Sequence, residues 1–117
     1  MEDKNIPSIE FFKGMGNPTR YNIFLQLMEG VMCNCDIAAN LKISLSLVSH
    51  HLHALEDLGL VKSERDADDA RWIYFQIDPE VLGLLQKQCN ELLNPQNIKI
   101  RDRQCSLPHC GIKTNQT

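Results

Sequence analysis

The chain has 117 residues, 43% apolar and 23% charged, with a formal net charge of −3 and five cysteines. That length makes one domain able to bury a core without disulfide or metal staples. No apolar run approaches the length of a bilayer span, MEDKNIPSIEFF lacks the order of a secretory signal, and an odd thiol count without such a signal points to metal or redox chemistry in a reducing cytoplasm.

Residues 1–7 read as a loose arm. Ser8 caps a short helix, Ile9 to Gly14, whose Phe11 and Phe12 suit an interface or a core. Gly14 and Gly16 break it, and Asn17-Pro18 restarts the chain, with Asn as N-cap and Pro at the first helical position. The helix that follows, Pro18 to Glu29, spreads Tyr21, Ile23, Phe24, Leu25, Leu27 and Met28 over more than half its circumference. It is expected to be central and touched on several sides.

Next comes VMCNCDIAANLKISLSLVSHHLHALEDLGLV, around which the chain is organised. A first helix, about Cys35 to Leu41, buries Ile37, Ala38 and Leu41. A second starts at Ser44, whose hydroxyl accepts an orphan backbone N–H. It places Val48, Leu52 and Leu55 on one side and Ser46, Ser49, His50 and His53 on the other, and Gly59 closes it. Two short helices across a tight turn make a helix-turn-helix, the second suited to a DNA major groove.

Leu60 to Arg65 and Arg71 to Ile77 read as strands joined by a polar tip, Asp66 to Ala70. A hairpin directly after a recognition helix is a wing. Asp78-Pro79 opens a last amphipathic helix to about Leu93, with Val81, Leu82, Leu85, Cys89 and Leu92 on its apolar side; Asn94-Pro95 stops it. The expected fold class is α+β and mainly helical: a winged helix-turn-helix of about five helices plus a two-stranded wing, homodimeric through apolar faces on its outer helices. Residues 1–95 form this domain, and residues 96–117 a cysteine-containing tail.

These residues resemble the arsenical-resistance and metallothionein repressor (ArsR/SmtB) family of winged-helix repressors. The resemblance rests on GNPTRYNIFLQL, MCNCDIAANL, SLSLVSHHLHALEDLGLV and RWIYFQI, over roughly residues 8–93. Cys-x-Cys-Asp directly before the helix, followed by Val-Ser-x-His-Leu, is the specific combination. It implies a metal- or metalloid-responsive transcriptional repressor that sits on operator DNA as a homodimer, dimerises through its first and last helices, and is released when the ion binds. Arsenite-responsive members often carry a third cysteine where Ala38 stands here. Zinc-sensing members use Asp and His on the last helix, which here offers Asp78 and Glu80 and no histidine.

Positions i and i+2 of a regular helix point to nearly opposite sides, so Cys33 and Cys35 must lie in the turn or the frayed first turn to share an ion. The partial positive charge at a helix N-terminus favours the metal-binding thiolate. Two thiolates are an incomplete shell, and sulfur selects soft ions, so the expected inducers are arsenite, cadmium or lead, with zinc as a further candidate and no organic cofactor. Cys105 and Cys110 are the candidate remaining ligands, from the same or the opposite subunit, with His109 an extra ligand for zinc. Cys89, on an apolar helix face, reads as a buried small hydrophobe.

For DNA, the expected contacts are Ser44, Ser46, Ser49, His50 and His53, with Arg65 and Arg71 on the wing and Arg20 and Lys42 toward phosphate. The acidic tip, Asp66, Asp68 and Asp69, should be repelled. The net charge gives no support of its own, so local patches and a site doubled in a dimer must supply the phosphate contacts. Two alternatives remain: a thiol redox or sulfide-sensing repressor of the same fold, and a small thiol enzyme or metal carrier. Against the first, a Cys-x-Cys disulfide closes a small strained ring. Against the second, no histidine, carboxylate or phosphate-cradling loop is arranged for catalysis, so no residue is assigned a catalytic role.

Overall fold

A computed structural model describes residues 8–101 and 103. The helices are α1 (Ser8–Met15), α2 (Pro18–Met28), α3 (Asn34–Leu41), α4 (Leu45–Asp57) and α5 (Pro79–Leu92); a 3-10 turn follows at Pro95–Asn97. The strands are β1 (Met32–Cys33), β2 (Val61–Arg65) and β3 (Ile73–Ile77).

Local chemistry sets the helix starts. Asn17 is extended, and its side chain accepts the Arg20 N–H at 3.0 Å, with Pro18 just inside the helix. Ser44 does the same for α4 through the Leu47 N–H at 3.1 Å, and Asp78 for α5 through the Glu80 N–H at 3.0 Å. Each acceptor satisfies a donor that the first helical turn leaves orphaned. Two left-handed residues make the turns. Lys42, at φ 58°, ends α3, and the Ile43 N–H returns to the Ala38 carbonyl at 3.2 Å. Gly59, at φ 80°, follows the C-cap Leu58 and swings the chain from α4 into β2.

The core joins Ile23 and Leu27 of α2, Ile37 of α3, Val48, Leu52 and Leu55 of α4, and Val81 and Leu85 of α5 with Leu60, Val61 and Phe75 at the sheet. Each fully buried Leu or Ile contributes roughly 1.5–3 kcal/mol. Helix α2 packs on α1, α3, α4 and β3, as its spread of apolar residues predicts, yet Tyr21, Leu25 and Met28 stay exposed in the single chain.

The expected hairpin is present, with Val61 opposite Ile77 and Arg65 opposite Ile73. It gains a third strand. β1 pairs with β3 through Met32 and Phe75 and through Cys33 and Tyr74, giving the antiparallel order β1-β3-β2. A strand of two residues carries no alternation to read in a sequence; only its backbone pairing defines it. Of the tail, residues 102 and 104–117, with Cys105, His109 and Cys110, lie outside the described residues.

Candidate functional site

The thiols sit where the spacing requires. Cys33 is the N-cap of α3, extended at φ −82° and ψ 155°, and Cys35 lies in the first turn. Their surroundings differ: Cys33 is buried and Cys35 exposed. Cys33 stands outside the main core cluster. Across the sheet it is aligned with Tyr74 and then Glu64, while Met32, Phe75 and Ser63 form the adjacent row. Side chains alternate between faces, so Cys33 lies on the face away from Phe75. Among the described residues no group of three or more His, Cys, Asp or Glu is placed to hold a metal ion. Any thiolate shell wider than the pair therefore needs donors from the tail or from a second chain. Cys89 is half-buried on α5.

The turn Lys42–Ser44 leads directly from the thiol-bearing helix to α4. On α4, Ser46, His50 and His53 are exposed and Ser49 is half-buried. Helical spacing puts Ser46, His50, His53 and Asp57 on one arc opposite Val48, Leu52 and Leu55. Asp57 would repel phosphate, which concentrates any nucleic-acid contact on the first turns of the arc. Leu45 and Leu47 are exposed beside Ser46. Leu47 lies off the Val48–Leu52–Leu55 stripe, whereas Leu45, three residues before Val48 and seven before Leu52, continues that stripe at its exposed end; an exposed leucine there suits a thymine methyl.

The wing is braced from within. Ser63 Oγ on β2 donates to Glu56 Oε2 on α4 at 2.6 Å, and Arg65 Nη1 donates to the Ala70 carbonyl at 2.6 Å. At the tip, Asp66 Oδ2 accepts the Asp68 and Asp69 N–H groups at 3.1 and 3.0 Å. The exposed Arg71 pairs with Asp69 at 2.7 Å. That contact holds the Asp69 carboxyl below its usual range and raises Arg71. The acidic tip thus shapes the turn and carries a cation with it.

Arg20 is half-buried. Its Nε–H donates to His51 Nδ1 at 3.3 Å and its Nη1 to the Gly14 carbonyl at 3.5 Å. His51 is a buried polar residue of α4, outside the expected polar face of Ser46, Ser49, His50 and His53. Lys42 is exposed at the turn.

Residues 17–63, which span α2 to the first part of β2, match the family described as "Bacterial regulatory protein, arsR family". A curated relative, an uncharacterised HTH-type transcriptional regulator of Methanocaldococcus jannaschii, is 35% identical over 86 residues, covering 72% of this chain and 93% of the relative. The chain belongs to the arsR family. Another relative, the cadmium resistance transcriptional regulatory protein CadC of Listeria innocua, is 34% identical over 72% of this chain and 71% of its own length. A transcriptional repressor SmtB homolog of Synechocystis is 34% identical, with 71% of this chain matched to 61% of that protein. Among solved structures, a "possible transcriptional regulator for arsenical resistance" superposes with a TM-score of 0.60 at 28% identity, covering 69% of this chain and 81% of the other.

This arsR-family chain is therefore a winged helix-turn-helix transcriptional regulator and not an enzyme. Among the described residues no helix is long and apolar enough to cross a membrane.

Proposed function

We propose that this protein represses transcription by binding operator DNA as a homodimer, and that it lets go when a soft thiophilic ion — arsenite, cadmium or lead — is bound by the thiolates of Cys33 and Cys35. Cys105 and Cys110 complete the shell. The observation that carries this reading is the position of the two thiols at the entrance of α3, the helix that the turn Lys42–Ser44 joins to α4. The cadmium-resistance name of a relative that covers most of this chain adds support. Exposed Ile9 and Phe12 on α1 and Leu92 on α5 offer a second copy an apolar face at each end of the chain. DNA is contacted by Ser44, Ser46, Ser49, His50 and His53, with Lys42, Arg65 and Arg71 toward phosphate.

Binding switches the protein through geometry. One thiol is buried and the other exposed, so gathering both on one ion shifts the entrance of α3. The two recognition helices of the dimer then leave register with successive grooves. A coupling of about 1–3 kcal/mol changes operator affinity several- to a hundred-fold, and by linkage DNA weakens ion binding by the same factor.

The test is a titration of the reduced protein, bound to the duplex upstream of its own gene, with arsenite, cadmium, lead and zinc. It is repeated with Cys33→Ser and Cys105→Ser. Release by a soft ion with thiolate charge-transfer absorption, lost in Cys33→Ser, supports the reading. Peroxide-sensitive DNA binding without such absorption would transfer the protein to the thiol redox class. Failure to bind DNA would reject repression altogether.

A further inference from the structure

We propose that Arg20 is a positioning residue for operator recognition, fixing the rotation of α4 through its hydrogen bond to His51. This rests on the DNA-binding reading above. The guanidinium spans three helices. From α2 it donates by Nε to His51 Nδ1 of α4 at 3.3 Å, and by Nη1 to the Gly14 carbonyl of α1 at 3.5 Å. The junction is close-packed, because a Cβ added to Gly14 would meet Cδ1 of Leu58, the C-cap of α4, at 3.0 Å.

His51 faces inward beside Val48 and Leu55, and its neighbour in the chain, His50, is exposed on the outward arc. The two rings meet edge to face at 5.2 Å. A turn of α4 about its axis that carries His50 and Ser46 across the groove must therefore break the Arg20 bond. The close-packed core resists rotation of the helix as a whole, and the hydrogen bond adds a directional restraint at this one position.

The bond also sets a protonation state. Nδ1 accepts only while the ring is neutral with its proton on Nε2. Burial first, then the Arg20 charge and then His50 hold His51 below its ordinary value of 6.5. Arg20 faces it from α2, His50 from α4 itself, and α1 presents the Gly14 carbonyl. Among the described residues α3 and β2, which also pack on α4, add no charge that shifts it. Acid breaks the tie and loosens the grip on DNA.

The experiment compares wild type with His51→Asn, whose Oδ1 takes the place of Nδ1 as acceptor and does not titrate. Binding of the duplex upstream of the protein's own gene is followed by fluorescence anisotropy from about pH 8 to pH 5.5, across the histidine range. The two proteins should agree within about twofold at the alkaline end, and wild type should weaken several-fold relative to the variant at the acid end. Contributions from groups common to both proteins cancel in that ratio. A flat ratio overturns the proposal. Ring-proton NMR of free wild type and Arg20→Gln gives a second readout, independent of DNA and of the fold of His51→Asn. The His51 titration should move up when Arg20 is removed, and an unmoved titration also overturns the proposal. If no version binds the duplex at any pH, the DNA reading fails and positioning fails with it, while the NMR comparison still reports whether the tie exists.

Discussion

Cys33 and Tyr74 are register partners across β1 and β3, so the thiol at the mouth of the helix-turn-helix is joined by backbone pairing to the inner strand of the wing. The wing is fastened to the recognition helix by a second route, the Ser63–Glu56 hydrogen bond. Thiol, wing and recognition helix thus share one short circuit of contacts. Movement at Cys33 has a structural path to both the wing and α4, of the kind a two-state coupling requires.

The two thiols should react at different rates. Cys35 is exposed, whereas Cys33 is only 6% accessible. Alkylation of the reduced protein, followed by peptide mass spectrometry, should label Cys35 at least about tenfold faster than Cys33, because a buried thiol reacts through transient opening. The difference should vanish in denaturant. Equal rates in the native protein would mean that β1 does not shield Cys33.

Leu52 and Leu92 separate core from surface. Leu52 is fully buried in α4, and Leu92 is 56% exposed at the end of α5. Leu52→Ala should lower unfolding stability by about 2–5 kcal/mol through lost burial and a residual cavity. Leu92→Ala should cost little within one chain, and instead weaken association if α5 joins the dimer. Urea unfolding at two protein concentrations checks both statements.

Much of this architecture is legible in the residues, for identifiable reasons. Asn17-Pro18 and Asp78-Pro79 mark helix starts because cap chemistry is local. Val48, Leu52 and Leu55 declare the inner face of α4 because the helical period is strict. Strand β1 escapes notice since two residues have no period. His51 escaped because residue type outweighed position: three residues after Val48 and four before Leu55, it falls on the apolar stripe, yet the neighbouring histidines were read together as a polar face. The tie between Arg20 and His51 has no sequence signal, because only the three-dimensional packing brings that buried acceptor to the Arg20 Nε–H. The unequal burial of Cys33 and Cys35 likewise depends on the sheet, which their spacing does not encode.

The turn between α3 and α4 offers substitutions of opposite sign. Ser44→Ala removes the acceptor for the Leu47 N–H and should cost about 1 kcal/mol. Lys42 holds a left-handed conformation, φ 58° and ψ 45°, that strains a residue with a Cβ. Lys42→Gly relieves this strain and should stabilise by up to about 1 kcal/mol. Thermal unfolding of the two variants, each against wild type, decides the signs.

Stability should fall on acidification through His51. Its folded-state value lies below the ordinary 6.5. The unfolded chain therefore binds the proton first as pH drops. Stability from this residue is complete above about pH 6.5 and is lost progressively below it, down to the depressed folded value. The slope of midpoint temperature against pH in that window should be shallower in His51→Asn. Identical slopes would show that the ring is not held neutral by its surroundings.

Asp69 restrains the exposed cation at the tip of the wing. It accepts from Arg71 Nη2 at 2.7 Å and from Nε at 3.0 Å, while the Arg71 side chain remains 87% exposed. Because Arg71 depresses the Asp69 carboxyl, the pair stays intact at neutral pH and is lost only as pH falls through that lowered range. Such an exposed pair does little for folding, so Asp69→Asn should leave the unfolding midpoint nearly unchanged. Its effect belongs in DNA binding. The substitution removes a repelled charge and frees the guanidinium for a phosphate. Affinity should rise several-fold, and the slope of log affinity against log salt should steepen by about one for each new phosphate contact. Arg71→Gln should move both quantities the other way. If neither variant alters the salt slope, the tip does not reach the DNA backbone, and wing contact must come from Arg65 and the strands themselves.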